Sequence, residues 1–303
     1  MINGIIPLYK PLGMTSFSCV SKMRGIVHQK KVGHSGTLDP NVDGVLPICL
    51  GSGTKVVDYL MATGKTYRGA ITLGFATTTE DLDGEIVAEQ HDFTPLTMEQ
   101  IKAGLTHFVG SITQIPPMYS AVKVNGRRLY DYARHGETVE RPRRVVKITD
   151  FYPIGAPVID KEAGTQTIFF EVHCSKGTYV RTLAVDFGRY FGLPAVMSQL
   201  TRIASGGFDI QQTVSFAELE AAQAAGTLEQ LVYPIDHALH GFTHVDLTVD
   251  QWERVQHGAF LSATDLQATE AEIVLRYNGS DKALYCYDNQ HQLYKPQKMF
   301  SLE

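Results

Sequence analysis

Asp39 stands in Gly36-Thr37-Leu38-Asp39-Pro40, a single carboxylate in a run of turn-forming residues. Asp before Pro among glycines is common loop punctuation. The same pattern also suits chemistry. A tight, proline-stiffened loop holds one carboxylate in a fixed place, where it serves as nucleophile or general base provided a cation keeps it ionised. Tyr179 and Arg181 lie two residues apart in Lys176-Gly177-Thr178-Tyr179-Val180-Arg181, and a strand-to-helix junction there lets both face the same way. Between residues 119 and 147, eight basic side chains meet three acidic ones, and Tyr119, Tyr130 and Tyr132 interleave with Lys123, Arg127, Arg128 and Arg134. Such a segment is either a solvated surface or an RNA-facing one, in which cations meet phosphates and aromatic rings offer faces to bases. Other chemistries find no support. Gly64-Lys65-Thr66 ends like a phosphate-binding loop, but Tyr59 occupies the place of that motif's first glycine. No Gly-x-Gly-x-x-Gly follows a strand and no His-Glu-x-x-His occurs. Neither a cofactor nor a catalytic metal is expected.

The elements that must position these residues follow from periodicity. Thr15 and Ser16 precede Phe17, Val20, Met23 and Val27, which recur at helical spacing. Residues 33–55 carry five glycines and two prolines, so they are expected to be mostly loop with a short strand. Tyr67, Gly69, Ile71 and Leu73 alternate with Arg68, Ala70 and Thr72, as a strand does; Tyr67 by itself is an ordinary strand aromatic. Thr97 with Gln100, and Ser215 with Glu218, are capping boxes opening two further helices. Residues 167–175 read as a strand and a helix begins near Thr178. After Val245 short β-like segments return. Strands mixed with helices without regular alternation predict an α+β fold, ending in a small β-rich module.

The 303 residues suit two domains. Net charge is −5, unevenly spread: residues 1–210 hold 22 Lys and Arg against 19 Asp and Glu, residues 211–303 hold 5 against 13. A polyanion would therefore meet the first two thirds of the chain. Cys19, Cys49, Cys174 and Cys286 lie far apart with no Cys-x-x-Cys pair, which reads as four reduced thiols. No apolar run approaches the roughly 18 residues of a membrane helix. Pro7, Lys10 and Pro11 interrupt the place of a signal peptide, so a cytoplasmic protein is expected.

Five segments in order carry a resemblance: KPLGMTS (10–16), GHSGTLDPNVDGVLPICLG (33–51), KTYRG (65–69), PPMYSAVKVNGRRLYDYAR (116–134) and CSKGTYVRTL (174–183). Together they closely resemble the TruB family, the bacterial tRNA pseudouridine-55 synthases. The resemblance implies a mixed, largely antiparallel sheet core flanked by helices (the pseudouridine synthase fold) over residues 1–240, with residues 119–147 as an insertion closing on RNA, and a PUA-like C-terminal RNA-contact module over 241–303. It implies isomerisation of uridine 55 in the tRNA T-loop, with no cofactor, no metal, no guide RNA and a monomeric state. It makes Asp39 the nucleophile, and His34, Tyr67, Tyr179, Arg181 and Leu200 the substrate-contacting residues. Tyr67 would stack on the uracil and take part in proton transfer from C5. His34 would help hold the loop with its base extruded. Leu200 would line the pocket, although Leu200-Thr201-Arg202 departs from the family's more basic Leu-Arg-Arg. Lys10 would support the loop near the site. Arg181 near a helix N-terminus is electrostatically unfavoured and needs a reason, which an ion pair with Asp39 supplies. The rival readings are a non-catalytic RNA-binding or folding module of the same fold, a guide-RNA-dependent relative, and a nucleotide-dependent transferase, the last weakened by the failed phosphate-loop match.

Overall fold

The computed structural model describes residues 1–300. Its frame is a 10-stranded mixed sheet. Seven strands form the path: β1 (Gly4–Lys10), β2 (Asp43–Leu50), β3 (Lys65–Leu73), β4 (Gly110–Gln114), β5 (Arg144–Pro153), β6 (Thr165–Cys174) and β7 (Ala195–Ser205). Their spatial order is β1-β2-β7-β3-β6-β5-β4, and β2–β7 is the parallel pair in an otherwise antiparallel path. With the helices below, this is the α+β architecture expected.

Residues 33–55 hold more structure than their glycines suggest. Val32–His34 is a strand, β2 runs for eight residues, and Gly51–Val56 is a 3-10 turn, leaving loop only between His34 and Asp43. Every β2 residue from Gly44 onward is buried. A strand covered on both faces shows no alternation, which hid it from periodicity. Pro47 is tolerated because it faces Pro7 of β1 while its carbonyl, accepting from Ser35 N at 3.1 Å, points away from β1. Pro7 likewise turns its carbonyl outward to Val214 N. Neither missing N–H is therefore subtracted from the β1–β2 ladder.

Three helices cover one face of the sheet. The helix Ser16–Val27, capped by Thr15 accepting from Ser18 N at 2.9 Å, lays Cys19, Val20, Met23 and Ile26 against Ile6, Leu8, Leu46 and Ile48. The helices Met98–His107 and Val180–Tyr190 pack into a second core with Ile71, Ile168, Phe170 and Val172. Both expected capping boxes form, at Thr97 with Gln100 and Ser215 with Glu218. All four cysteines are free thiols. No helix among the described residues is long and apolar enough to cross a membrane.

The C-terminal segment forms a five-stranded sheet from Thr243 to Met299 around Trp252, Leu261, Tyr285 and Tyr294. It shares a further core with the main sheet, in which Val274, Leu284 and Phe300 pack with Ile5, Val45, Val56, Leu60 and Phe208. Removing the module would strip the cover from that patch. Leu284→Ala, a deletion in this shared core, is expected to cost about 2–5 kcal/mol and to lower one cooperative melting transition of the whole chain. Calorimetry checks this; two transitions, of which one alone moves, would show independent folding of the two parts.

Candidate active site

The loop bearing Asp39 is tied down from beneath. The wholly buried Lys10 Nζ donates to the carbonyls of Val42 at 2.7 Å, Pro11 at 3.0 Å and Pro40 at 3.2 Å. Ser16 Oγ accepts from Leu38 N at 2.8 Å, and Gly13 N donates to Pro40 O at 2.9 Å. Thus the segment 10–16 fastens both ends of the loop, and Lys10 reaches its carbonyls. Burial lowers the Lys10 pKa, and Asp43 and Asp39 oppose that shift.

Asp39 meets Arg181 across the cleft, Oδ2 to Nη2 at 3.0 Å. The arginine side chain is 6 % exposed and the aspartate 43 %, so the carboxylate opens to the cleft while its cation is walled in. Arg181 is the second residue of the helix Val180–Tyr190, where the helix dipole opposes a positive charge. Its other contacts compensate: Nη1 donates to Thr79 O and Nη2 to Tyr119 O, both at 2.9 Å, and Nε faces Asp81 Oδ2 at 3.7 Å. For Asp39, loss of solvent raises the pKa, Arg181 pulls it back, and the charges of Asp81 and Asp83 push it up again; the net direction is upward.

The walls come from the middle of the sheet. Tyr67 on β3 is 7 % exposed, and burial raises the pKa of its hydroxyl. Leu200 and Arg202, on the same face of β7, pair in register with Gly69 and Tyr67. A Cβ on Gly69 would lie 2.5 Å from Gln199 O and 2.9 Å from Leu200 Cδ1, so only glycine lets β7 approach this closely. His34 ends its short strand with Nδ1 accepting from Gly36 N at 3.2 Å; burial and the Arg202 charge lower its pKa, which leaves Nε2 as the protonated, donating nitrogen. Tyr179 immediately precedes its helix, its backbone gripped on both sides by the buried Gln114 amide at 3.0 and 3.2 Å. His34, Asp39, Tyr67, Tyr179, Arg181 and Leu200 all line one cavity of about 810 Å³. Among the described residues no cluster of three or more His, Cys, Asp or Glu is placed to hold a metal.

Lys65 and Arg202 line the same cavity and were not singled out by residue type. Lys65 is 9 % exposed, its pKa lowered to about 8 by burial and by the neighbouring cations Arg202 and Lys176. Their signal was the two-residue strand period: Lys65 precedes Tyr67 by two and Arg202 follows Leu200 by two. Asp81 had no local signal, being brought in from a loop a hundred residues before Arg181. The basic insertion also resolves unevenly. It is a hairpin, Lys123–Val124 with Arg127–Arg128, turned through Asn125 and Gly126 at positive φ. Lys123, Arg128 and Tyr130 border the cavity. Arg127 is instead engaged within the chain, paired with Glu137 at 2.9 Å and stacked 4.2 Å over Tyr132.

Comparison with known proteins agrees with this architecture. The model of the TruB family pseudouridylate synthase N-terminal domain matches residues 24–180, and that of the tRNA pseudouridylate synthase B C-terminal domain matches residues 181–240. The chain is 58 % identical over 306 residues to tRNA pseudouridine synthase B of Lactiplantibacillus plantarum, covering 100 % of both. It is 50 % identical over 301 residues to the protein of that name from Ligilactobacillus salivarius, covering 99 % of this chain and 100 % of the relative. Among solved structures, a chain from a Cbf5-Nop10-Gar1 complex superposes with a TM-score of 0.75 at 24 % identity, over 98 % of this chain and 85 % of that one. That likeness establishes the fold. On the matched models and the full-length relatives, the chain belongs to the TruB family of pseudouridylate synthases.

Proposed function

We propose that the protein isomerises uridine 55 in the T-loop of tRNA to pseudouridine, acting alone and without guide RNA. The observation that carries this reading is the Asp39–Arg181 pair at 3.0 Å in a cavity walled by Tyr67 and Leu200. The full-length relatives named tRNA pseudouridine synthase B support tRNA as the substrate.

The reaction breaks the N1–C1′ bond and rejoins the base to the sugar through C5, so bond breaking and bond making lie within one substrate. The separated halves need stabilisation, and a carboxylate beside the sugar provides it, as in glycoside cleavage. Arg181 keeps Asp39 ionised for that task. Tyr67 offers its ring to the uracil and its hydroxyl to the C5 proton. His34, with Nε2 free to donate, and Tyr179 at the mouth contact the opened loop, whose extruded base exchanges its stacking partners for protein. The hairpin of residues 123–128 meets the phosphates through Lys123 and Arg128.

The direct test is mass-spectrometric mapping of pseudouridine in a tRNA transcript and in its isolated T-arm stem-loop. Modification at position 55 alone is expected in both, and Asp39→Asn should bind RNA within a few-fold of the native enzyme and show no turnover. Modification at other uridines, or turnover by the Asn variant with deamidation excluded, would overturn the assignment.

The upward shift of Asp39 fixes the sign of the pH dependence. The ionised form is the active one, so single-turnover rates should fall on acidification with a midpoint above the usual carboxylate range. Asp81→Asn removes a like charge and should move that midpoint to lower pH; a shift in the opposite direction would show that Asp81 acts mainly by withdrawing Arg181.

The two arginines of the hairpin should separate in salt titrations. Replacing Lys123 and Arg128 by Ala is expected to flatten the log–log salt dependence of RNA affinity by roughly one to two units, the counterion-release scale for two phosphate contacts. Arg127→Ala, which breaks an internal pair with Glu137, should leave that slope nearly unchanged.

A further inference from the structure

Arg202 is an expensive residue to have where it is. Its side chain is wholly buried, yet no ion pair to a carboxylate accompanies it among the described residues. Nε donates to Val45 O at 2.8 Å and Nη2 to Gly36 O at 3.2 Å. Nη1 is buried and makes no hydrogen bond of good geometry. Its surroundings are cationic or neutral: the buried Lys65 and Lys10, and the ring of His34, all feel its charge. A buried charge held by two carbonyls, with Nη1 left without a partner of good geometry, is poorly compensated.

The register points to an acceptor. Arg202 lies directly opposite Tyr67 across the β7–β3 ladder. Its guanidinium favours the ionised phenol both by charge and as a hydrogen-bond donor, against burial, which opposes ionisation. The other groups acting on Tyr67 are the Cys174 thiol on β6 and the Asp39 carboxylate from the loop, and both disfavour a phenolate. Arg202 is thus the one charge acting on Tyr67 that favours a phenolate, and the strand register sets it opposite.

We propose that Arg202 is a positioning residue for Tyr67, its free Nη1 donating to the Tyr67 oxygen once that oxygen has lost its proton, and so holding it to receive the proton from C5. The inference rests on the reading that Tyr67 handles that proton. The step is balanced as follows. The Tyr67 proton leaves to solvent, and Nη1 takes up the phenolate. After the base has rejoined the sugar through C5, the C5–H bond breaks and its proton passes to the phenolate oxygen. The electron pair of that bond restores C5=C6, and N1 receives a proton from solvent.

Single-turnover rates at saturating T-arm stem-loop, followed across pH, test this with Arg202→Lys, Tyr67→Phe and their combination. Tyr67→Phe should be slowed by roughly 10²-fold or more, the scale of a lost acid–base group. Arg202→Lys should bind RNA within about three-fold of the native enzyme but turn over roughly 10- to 100-fold more slowly, the scale of a lost hydrogen bond to a charged group. Its rise in rate with pH should be displaced to higher pH, and adding it to Tyr67→Phe should slow the enzyme little further. An equal loss at every pH, multiplying with that of Tyr67→Phe, would overturn the proposal and leave Arg202 as a prop for Val45 and Gly36. A Tyr67→Phe enzyme as fast as the native one would remove the Tyr67 reading itself, a different result. Should Arg202→Lys fail to fold, 3-fluorotyrosine at position 67 leaves Arg202 intact and acidifies the phenol. The pH rise should then move downward, and an unmoved profile refutes the phenolate.

Discussion

A carboxylate in a partly desolvated cavity stays ionised only beside a cation that water cannot displace. Arg181 meets that need, and much of the fold exists to place it. It reaches Asp39 because its helix starts at Val180, and the helix starts there because Gln114 grips the backbone of Tyr179 from both sides. Two carbonyls and Asp81 take the rest of the guanidinium, so an arginine against the helix dipole is held without being left short of partners. On the other side of the pair, Lys10 and Ser16 fix the loop from which Asp39 projects. Remove either support and the two charges still exist but no longer meet.

The same logic of shielded cations repeats one strand away. Arg181 and Arg202 both line the cavity, one paired with Asp39 and the other opposite Tyr67, and Lys65 adds a third basic side chain there. Together they make the lower wall of the cavity positive while its mouth carries Lys123 and Arg128. The acidic C-terminal module lies on the far side of the sheet, packed against Ile5, Val45 and Leu60, where its charge is kept from the cleft.

Much of this was legible in the sequence, for identifiable reasons. Local signals are written locally: Thr15, Thr97 and Ser215 cap the helices they announce. The turn chemistry around Asp39 marked a loop, and the misplaced positive charge at Arg181 pointed to a counter-charge elsewhere. What stayed hidden was set by tertiary contact. The strand β2 is buried on both sides and so carries no alternation, and its glycines and Pro47 resembled loop. Asp81 and Glu137 are partners chosen by folding, with nothing beside them in the chain to announce it. The difference between Arg127 and Arg128, neighbours in sequence, is decided by which one turns toward Glu137 and Tyr132.

The order of strands in space carries a consequence for how the chain is made. β7 is the last strand of the seven-strand path to be synthesised, yet it inserts between β2 and β3, pairing with segments more than a hundred residues earlier. Until it emerges from the ribosome, the nascent chain holds two half-sheets whose inner edges are open, and it has neither Leu200 nor Arg202. Contacts of such long sequence separation form slowly and leave strand edges exposed to wrong pairing in the meantime. The keystone is laid last. No fragment ending before β7 contains a finished pocket, because Met197, Leu200 and Arg202 of that strand are part of its wall.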